Sequence, residues 1–233
     1  TDKLVQVAKQ ALDAGKPIIA IKIGRSESSA RAALAHTGAM TGPDLFFDTL
    51  FKQYGILRAN TIEAALDRAV IFAASPRRWW LSGKRAGVVS ISGGFAATFS
   101  DLSNFYGFEV PPLESSTTAR LTSILPANVN PQNPIDISTQ VQRDRPDAWT
   151  LTLGCMADDA HTDYVLDAEA LMQSEQRIRT LLSLRDQSQK PVLLASTSPH
   201  ITIVNDELRA LCRVHGLPIM AGVEGTQRAI QSA

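Results

Sequence analysis

The chain of 233 residues is long enough for one large or two small domains, and its 44% hydrophobic and 20% charged residues are ordinary for a globular protein. Its 23 basic and 23 acidic side chains cancel, which excludes the strong positive field of proteins that bind nucleic acids or anionic membranes. No apolar run is long enough to span a bilayer. Two widely separated cysteines, Cys155 and Cys212, form no CxxC motif, so we expect a reduced, cytoplasmic protein with inert thiols.

The first third of the chain alternates helix and strand signals. Apolar residues recur at helical spacing up to Gly15, which is placed to end that helix, and the apolar run after it predicts a buried strand over residues 18–23. A stretch of small residues around His36 follows and is predicted to be a loop. The elements predicted after this loop are a helix over residues 44–55, a strand over 56–59 and a helix over 60–74.

Pro76 ends the last of these helices, and residues 75–85 have the composition of a linker to a second unit. That unit starts with a buried strand over residues 86–92, which leads into a helix opened by glycines and closed by Gly107. The elements predicted beyond it are strands over residues 108–110, 191–197 and 217–220, and helices over residues 115–125, 147–157, 169–187, 204–215 and 224–231.

Strands that alternate with helices predict the α/β class, with parallel, doubly wound sheets. We therefore divide the chain into two such domains, residues 1–78 and residues 79–233. The first domain offers only two clear strands, fewer than a stable open sheet normally needs, so it is expected to be incomplete. The edge of its sheet near residues 18–23 is then expected to be covered by another chain or left exposed.

His36 lies in the stretch RAALAHTGAMTGPD, among small residues and two positions before Gly38. A lone histidine commonly caps or packs. No second His, Cys or carboxylate follows at ligand spacing, so no metal is expected. A neutral imidazole on a small-residue loop can also be a nucleophile that accepts a phosphoryl group. Lys22 and Arg25 flank this loop and either support it by meeting the phosphate or are simply solvated.

A second candidate site is the turn Ser92-Gly93-Gly94, which joins a predicted strand to a predicted helix. Free backbone N–H groups and the positive end of the helix dipole make such a turn a possible anion cradle. A tight strand-to-helix turn without a ligand explains the same residues equally well. Asn133 and Asp136 are expected to order a loop at the carboxyl edge of the sheet, where ligands bind in such folds.

The two candidate sites, taken in this order, resemble those of the nucleoside-diphosphate-forming acyl-CoA synthetases, relatives of succinyl-CoA synthetase. The segment KPIIAIKIGRSESSARAALAHTGAMTGPD is similar to their phosphohistidine segment, and VVSISGGFAATFSDLSNFYGFEVPPL with NPIDIS is similar to the domain that follows. The departures are Ala35 for a usual serine, Ser29 for a frequent glycine and Ile91 for a common asparagine, and none of them removes the nucleophile. The resemblance implies two flavodoxin-like CoA-ligase domains.

What the resemblance implies for function is an acid–thiol ligase that interconverts acyl-CoA, a nucleoside diphosphate and phosphate with a carboxylic acid, CoA and a nucleoside triphosphate. His36 would carry the phosphoryl group on a swinging loop that includes Gly38, and the turn from Ser92 to Gly94 would bind the phosphate. No cofactor would be held tightly by this chain, because CoA and Mg-ATP or Mg-ADP are substrates of the full enzyme.

The family's CoA-binding domain and ATP-grasp domains have no counterpart in this sequence, and neither does the first half of the histidine-bearing domain. The resemblance therefore implies that these domains or subunits are partners, that the assembly is an oligomer, and that this chain alone is inactive.

The alternative is a non-catalytic region that senses a ligand within a larger protein, such as the degenerate synthetase-like regions of some protein acetyltransferases. The retained His36 argues against it, because such regions often lose the histidine. His161, His200 and His215 are predicted to be surface or packing residues, so His36 alone is expected to accept phosphate.

Overall fold

A computed structural model describes residues 2–37, 42–168, 174–197 and 206–232. The chain divides into two compact units, which comprise essentially residues 1–69 and residues 70–231. This division falls inside the helix Ile62–Ala74, because residues beyond 69, such as the fully buried Ile71, belong to the core of the second unit. The domain boundary after residue 78 stays a prediction.

The first unit is built on a parallel pair of strands, β1 (Ile18–Ile21) and β2 (Ile56–Ala59). Its helices are α1 (Asp2–Asp13), α2 (Glu27–Thr37), α3 (Asp44–Gln53) and α4 (Ile62–Ala74), the last shared with the second unit. The buried residues of its small hydrophobic core are Ala8, Leu50, Phe51 and Ile56. The described part of this unit contains two strands, as the sequence predicts for an incomplete first sheet.

The second unit contains a parallel sheet of five strands, whose members are β3 (Ala86–Ser90), β4 (Ile135–Asp136), β5 (Tyr164–Ala168), β6 (Val192–Ser196) and β7 (Ile219–Ala221). Their order across the sheet is β4-β3-β5-β6-β7, with every neighbouring pair parallel. Counted within the unit this is the order 2-1-3-4-5, which is the flavodoxin-like arrangement. The predicted α/β class with doubly wound parallel sheets is confirmed.

Helices cover both faces of this sheet. They are α5 (Gly93–Tyr106), α6 (Ser115–Ile124), α7 (Thr139–Asp144), α8 (Pro146–Asp158), α9 (Glu175–Ser188), α10 (Asp206–Val214) and α11 (Gly222–Ile230), with a 3₁₀ turn at Arg77–Trp79. Neighbouring strand residues alternate between two hydrophobic clusters, so Val89 packs with Trp149 of α8, while Val88 packs with Phe99 of α5. None of the helices in the described ranges is long and apolar enough to cross a membrane.

The sequence-based elements differ from the structure at several places within the second unit. Residues 108–110 are not a strand, because only Glu109 forms a single bridge, to Arg85. Strand β5 is absent from the prediction, and so are the short elements β4 and α7. The helix predicted over residues 169–187 is observed as α9, and residues 169–173 lie outside the described part of the chain.

Candidate functional site

The carboxyl end of β3 leads directly into the amino end of α5 through a turn at Ser92. The Ser92 hydroxyl oxygen caps the helix by accepting a hydrogen bond from the backbone N–H of Phe95 at 3.3 Å. The backbone N–H of Ser92 in turn donates to the hydroxyl oxygen of the buried Ser90 at 3.0 Å. These two contacts fix the turn, because they satisfy the donors that point inward.

Two backbone donors of the turn point outward. Gly93 and Gly94 are exposed, and neither of their N–H groups has a hydrogen-bond acceptor within the described residues. A Cβ atom built on Gly94 would meet nothing closer than the Ser92 hydroxyl oxygen at 3.8 Å, so the space in front of the turn is open. Two free N–H groups at the positive end of a 14-residue helix can hold an anion.

A carboxylate lies beside this turn. Asp136 ends β4, and one of its oxygens, Oδ2, would be 2.9 Å from a Cβ atom on Gly93. The other oxygen, Oδ1, accepts the backbone N–H of Ser138 at 3.0 Å. Ser138 has a φ of 60°, in the region that favours glycine, and its hydroxyl oxygen accepts the N–H of Val141 to cap α7. Asp136 therefore orders the loop at the carboxyl edge of the sheet, as expected.

Asn133 has a different place from the one expected. Its side-chain oxygen accepts the N–H of Val88 at 2.9 Å, and its amide nitrogen donates to the carbonyl oxygens of Ala86 at 2.7 Å and Pro111 at 2.9 Å. The amide thus pairs with the amino half of β3 in the manner of a neighbouring strand, away from the carboxyl edge. The expectation failed for Asn133 because it lies three positions before Asp136, which is about 10 Å of extended backbone.

His36 lies in the last turn of α2, so the prediction of a loop at this residue is wrong. The helix forms because Ser26 caps it, accepting the N–H of Ser29 at 3.2 Å, and because the segment that follows is rich in alanine, the best helix former. The imidazole is exposed and has no hydrogen-bond partner among the described residues. Gly38, predicted to support the histidine loop, lies outside the described residues.

Lys22 and Arg25 lie at the opposite end of α2 from His36. They occupy the connection between β1 and α2, and the helix from Glu27 to His36 separates them from the imidazole by about 14 Å along its axis. The Arg25 guanidinium donates to the side-chain oxygen of Asn60 at 2.8 Å. The structure therefore does not bring these two cations to the histidine, and a role in supporting it is not supported by this placement.

The other described histidines lie at the surface, as predicted. Nδ1 of His161 lies 2.9 Å from the carbonyl oxygen of Pro112, and His215 is exposed at the end of α10. His200 lies outside the described residues. A search of the described ranges finds no group of three His, Cys, Asp or Glu side chains that could hold a metal ion. Burial raises the pKa of the Cys212 thiol to about 11, as expected of an inert cysteine.

A buried polar cluster that the sequence did not predict lies on β5, the strand beside β3. Asp167 of β5 lies opposite Val89 of β3 and is fully buried. Its Oδ1 accepts the indole N–H of Trp149 at 3.3 Å, and the guanidinium of Arg177 stacks on that indole at 3.8 Å from the ring centroid. These contacts hold α8 and α9 against the sheet near β3 and β5, the two strands between which the strand order reverses. The only sequence signal was one aspartate inside an apolar run.

Parts of the chain are similar to several CoA ligases and CoA synthases. Residues 1–72 match the model of a family described as the succinyl-CoA ligase like flavodoxin domain. An ADP-forming acetate–CoA ligase of Methanocaldococcus jannaschii is 37% identical over 135 residues, which are 58% of this chain and 19% of that protein. An ADP-forming 4-hydroxybutyrate–CoA ligase of Nitrosopumilus maritimus is 33% identical over 122 residues, 52% of this chain and 17% of that protein.

A third relative matches nearly the whole chain. The trans-feruloyl-CoA synthase FCS1, from an unknown prokaryotic organism, is 27% identical over 233 residues, which are 97% of this chain and 32% of that protein. Among solved structures, the dinucleotide forming acetyl-coenzyme A synthetase 1 of Ca. Korarchaeum cryptofilum, in complex with phosphate and ADP, superposes with a TM-score of 0.75 at 23% identity. That match covers 98% of this chain and 48% of the solved chain. The chain therefore spans a minor part of each of these proteins.

Proposed function

We propose that this chain, a relative of the nucleoside-diphosphate-forming acyl-CoA synthetases, contributes the phosphohistidine and one phosphate-binding turn to an acid–thiol ligase. The enzyme would interconvert acyl-CoA, a nucleoside diphosphate and phosphate with a carboxylic acid, CoA and a nucleoside triphosphate. The observation that carries the proposal is the exposed imidazole of His36 at the end of α2, inside the segment that matches the ligase family.

The chemistry asked of His36 is phosphoryl relay. A neutral ring nitrogen attacks the phosphorus of an acyl phosphate, the new N–P bond forms, and the P–O bond to the departing carboxylate breaks. The terminal phosphate oxygen of the nucleoside diphosphate then attacks the same phosphorus, and the N–P bond breaks to regenerate the imidazole. Exposure of the ring favours this role, because both the donor and the acceptor must approach it.

The chemistry asked of the turn at Ser92 is to hold phosphate oxygens. The outward N–H groups of Gly93 and Gly94 supply two donors that need no rearrangement when an anion arrives, and the dipole of α5 adds a favourable field. The same donors would stabilise the charge that develops on the phosphoryl oxygens during transfer.

The remaining parts of the reaction belong to other domains or subunits under this proposal. The chain spans 19% of the M. jannaschii ligase, so CoA and nucleotide would be bound by CoA-binding and ATP-grasp partners in an oligomer. The chain alone would then be inactive, and CoA and Mg-ATP or Mg-ADP would be substrates and not resident cofactors. The rival proposal is a non-catalytic sensor region, which would bind a ligand without turnover.

The test is the product pattern of the intact enzyme that contains this chain. With CoA, Mg-ATP and a panel of short aliphatic and aromatic carboxylic acids, we expect acyl-CoA together with ADP and phosphate in equal amounts. Formation of AMP and pyrophosphate would contradict the proposed reaction. Ligand binding without any product across the panel would favour the sensor.

A further inference from the structure

A cavity of about 570 Å³ lies in the first unit, where both parallel strands end. Lys22, Arg25, Ser26 and Ser29 line it from the connection of β1 to α2, Asn60 follows β2, and Asp44 begins α3. Its volume is in the range of small-molecule sites. The carboxyl ends of parallel strands are also where open α/β sheets bind their ligands.

Two neutral polar side chains of this cavity, Asn60 and Ser29, accept a hydrogen bond from the protein and keep a donor. The side-chain oxygen of Asn60 accepts from Arg25 at 2.8 Å, which leaves the amide hydrogens of Asn60 to donate. The hydroxyl oxygen of Ser29 accepts the N–H of Gly24 at 3.0 Å, which leaves the hydroxyl hydrogen to donate. A ligand that only accepts hydrogen bonds, such as an oxyanion, matches this arrangement.

The charged groups of the cavity favour the same class of ligand. The ammonium of Lys22 donates to the carbonyl oxygen of Ile23 at 2.6 Å and lies 4.9 Å from the centroid of the Phe47 ring. It therefore has hydrogens left for a ligand. Arg25 is half exposed, with its Nε 3.4 Å from Oδ2 of Asp44.

Asp44, the carboxylate that lines the cavity, also pairs with a guanidinium on its other side. Nη2 of the nearly buried Arg58 lies 2.5 Å from Oδ1 of Asp44, and Nη1 lies 2.8 Å from Oδ1 of Asp48. The hydrogen bond from Arg58 lowers the pKa of Asp44. Because one guanidinium serves both carboxylates, Lys22 and Arg25 leave the cluster with excess positive charge.

We propose that this cavity binds the phosphate or diphosphate group of a phosphorylated small molecule, with Lys22 and Arg25 as its charged contacts. The site is separate from His36, which lies about 14 Å further along α2. It does not depend on phosphorylation of the histidine, so the two proposals can fail independently.

The test is titration of the chain with pyrophosphate and, separately, with inorganic phosphate at constant ionic strength. The affinity is taken from the NMR shifts of the Gly24 and Ser29 amides, which separates this cavity from the turn at Ser92. We expect saturable shifts of the Gly24 and Ser29 amides and at least tenfold weaker binding in the variant Lys22→Gln/Arg25→Gln. The control Lys3→Gln/Arg31→Gln removes the same charge from exposed positions of the same unit and should bind as the parent does. Tighter binding of pyrophosphate would assign a diphosphate, and equal binding a single phosphate.

Loss of the Arg25 contacts with Asp44 and Asn60 can also disturb the fold, so the single variant Lys22→Gln is tested beside it. This variant keeps those contacts and should still bind several-fold more weakly, with an unchanged thermal unfolding midpoint. The variant His36→Ala should bind like the parent. Equal affinities of Lys22→Gln and of the charge-matched control, or shifts that avoid Gly24 and Ser29, would overturn the proposal.

Discussion

A Cβ atom on Gly93 would lie 2.9 Å from Oδ2 of Asp136, so the end of β4 sets a negative charge against the first residue of α5. The two free N–H groups of the turn attract an anion, and this carboxylate repels it. We therefore predict that Asp136→Asn binds inorganic phosphate about two- to fivefold more tightly at low salt, the size of effect expected of an exposed charge. The asparagine can still accept the N–H of Ser138, so the loop should remain ordered.

Phosphate titrations at low and high salt, followed by the NMR shifts of the Gly93 and Gly94 amides, measure this effect at the turn. The control is Asp101→Asn, which removes an exposed carboxylate from the same helix about 12 Å away along its axis. The gain in Asp136→Asn should shrink at high salt, because screening weakens the repulsion. An equal gain in both variants would show that net charge is responsible and not the position of Asp136.

Substitutions at Gly94 should weaken phosphate binding in order of size. The position has open space around it, so Gly94→Ala and Gly94→Val should both fold. The added methyl groups crowd the approach of an anion to the N–H groups, and we expect a small loss for alanine and a loss of about tenfold or more for valine, which a lost charge-assisted hydrogen bond would produce. The NMR shifts of the amides of residues 93 and 94 during phosphate titration measure binding at the turn, and thermal unfolding checks the fold. Unchanged affinity in Gly94→Val would argue for a turn without a ligand.

Asn133 should be the most sensitive polar residue of the second sheet. Its amide makes three hydrogen bonds, to Val88, Ala86 and Pro111, and two of these residues are fully buried. We expect Asn133→Ala to lower the free energy of unfolding by about 3 kcal/mol, because it leaves buried backbone groups without a hydrogen-bond partner. Asn133→Asp should be no better, since a carboxylate cannot donate to the two carbonyl oxygens.

Urea unfolding measures both Asn133 variants. Asn128→Ala, an exposed asparagine in the same segment, is the control and should stay within about 0.5 kcal/mol of the parent. If Asn133→Asp were as stable as the parent, the two donor bonds would not exist.

Asp159 should make stability depend on pH. Burial raises its pKa, but hydrogen bonds from Thr117 and from the N–H groups of Glu114 and His161 outweigh burial, so the pKa is lowered on balance. A carboxyl whose pKa is lower in the folded state stabilises fully above its unfolded pKa, near 3.9, and loses that contribution as the pH falls through the folded value. We expect Asp159→Asn to lower the free energy of unfolding by about 1–3 kcal/mol at pH 7, and by less below about pH 4.

Urea unfolding at pH 7, 5 and 3 tests this dependence. Asp158→Asn is the control, because that neighbouring side chain is more than half exposed and forms a salt bridge with an exposed arginine. A cost of Asp159→Asn that stayed constant down to pH 3 would contradict the lowered pKa.

Three of the five strands in the second unit, β3, β6 and β7, were predicted from the sequence. Strands β3 and β6 fall inside the predicted ranges, because a strand buried on both faces is a continuous apolar run. Strand β5 is equally buried but carries Asp167, and the sequence does not show that Trp149 supplies the hydrogen bond which makes that burial tolerable. Whether such a segment forms a buried strand depends on contacts with elements that are distant in the sequence.

The candidate site was predictable where it depends on local geometry. A Ser-Gly-Gly turn between an apolar run and a periodic segment predicts a capped helix, and Ser92 is that cap. The position of His36 relative to Lys22 and Arg25 was not predictable. The small residues before His36 were predicted to be a loop, but they form the helix α2. The length of α2 sets the distance between His36 and the two cations. Lys22 and Arg25 line a separate cavity at the other end of the helix.

Phosphoryl labelling of the intact enzyme that contains this chain tests whether His36 carries the phosphoryl group. After incubation with radiolabelled ATP, or with acyl-CoA and labelled phosphate, we expect one acid-labile, base-stable label that maps to His36. The variant His36→Ala should carry no label and show no net turnover, while His161→Ala, His200→Ala and His215→Ala keep both. A label that persists in His36→Ala, or that maps to another residue, would contradict the account.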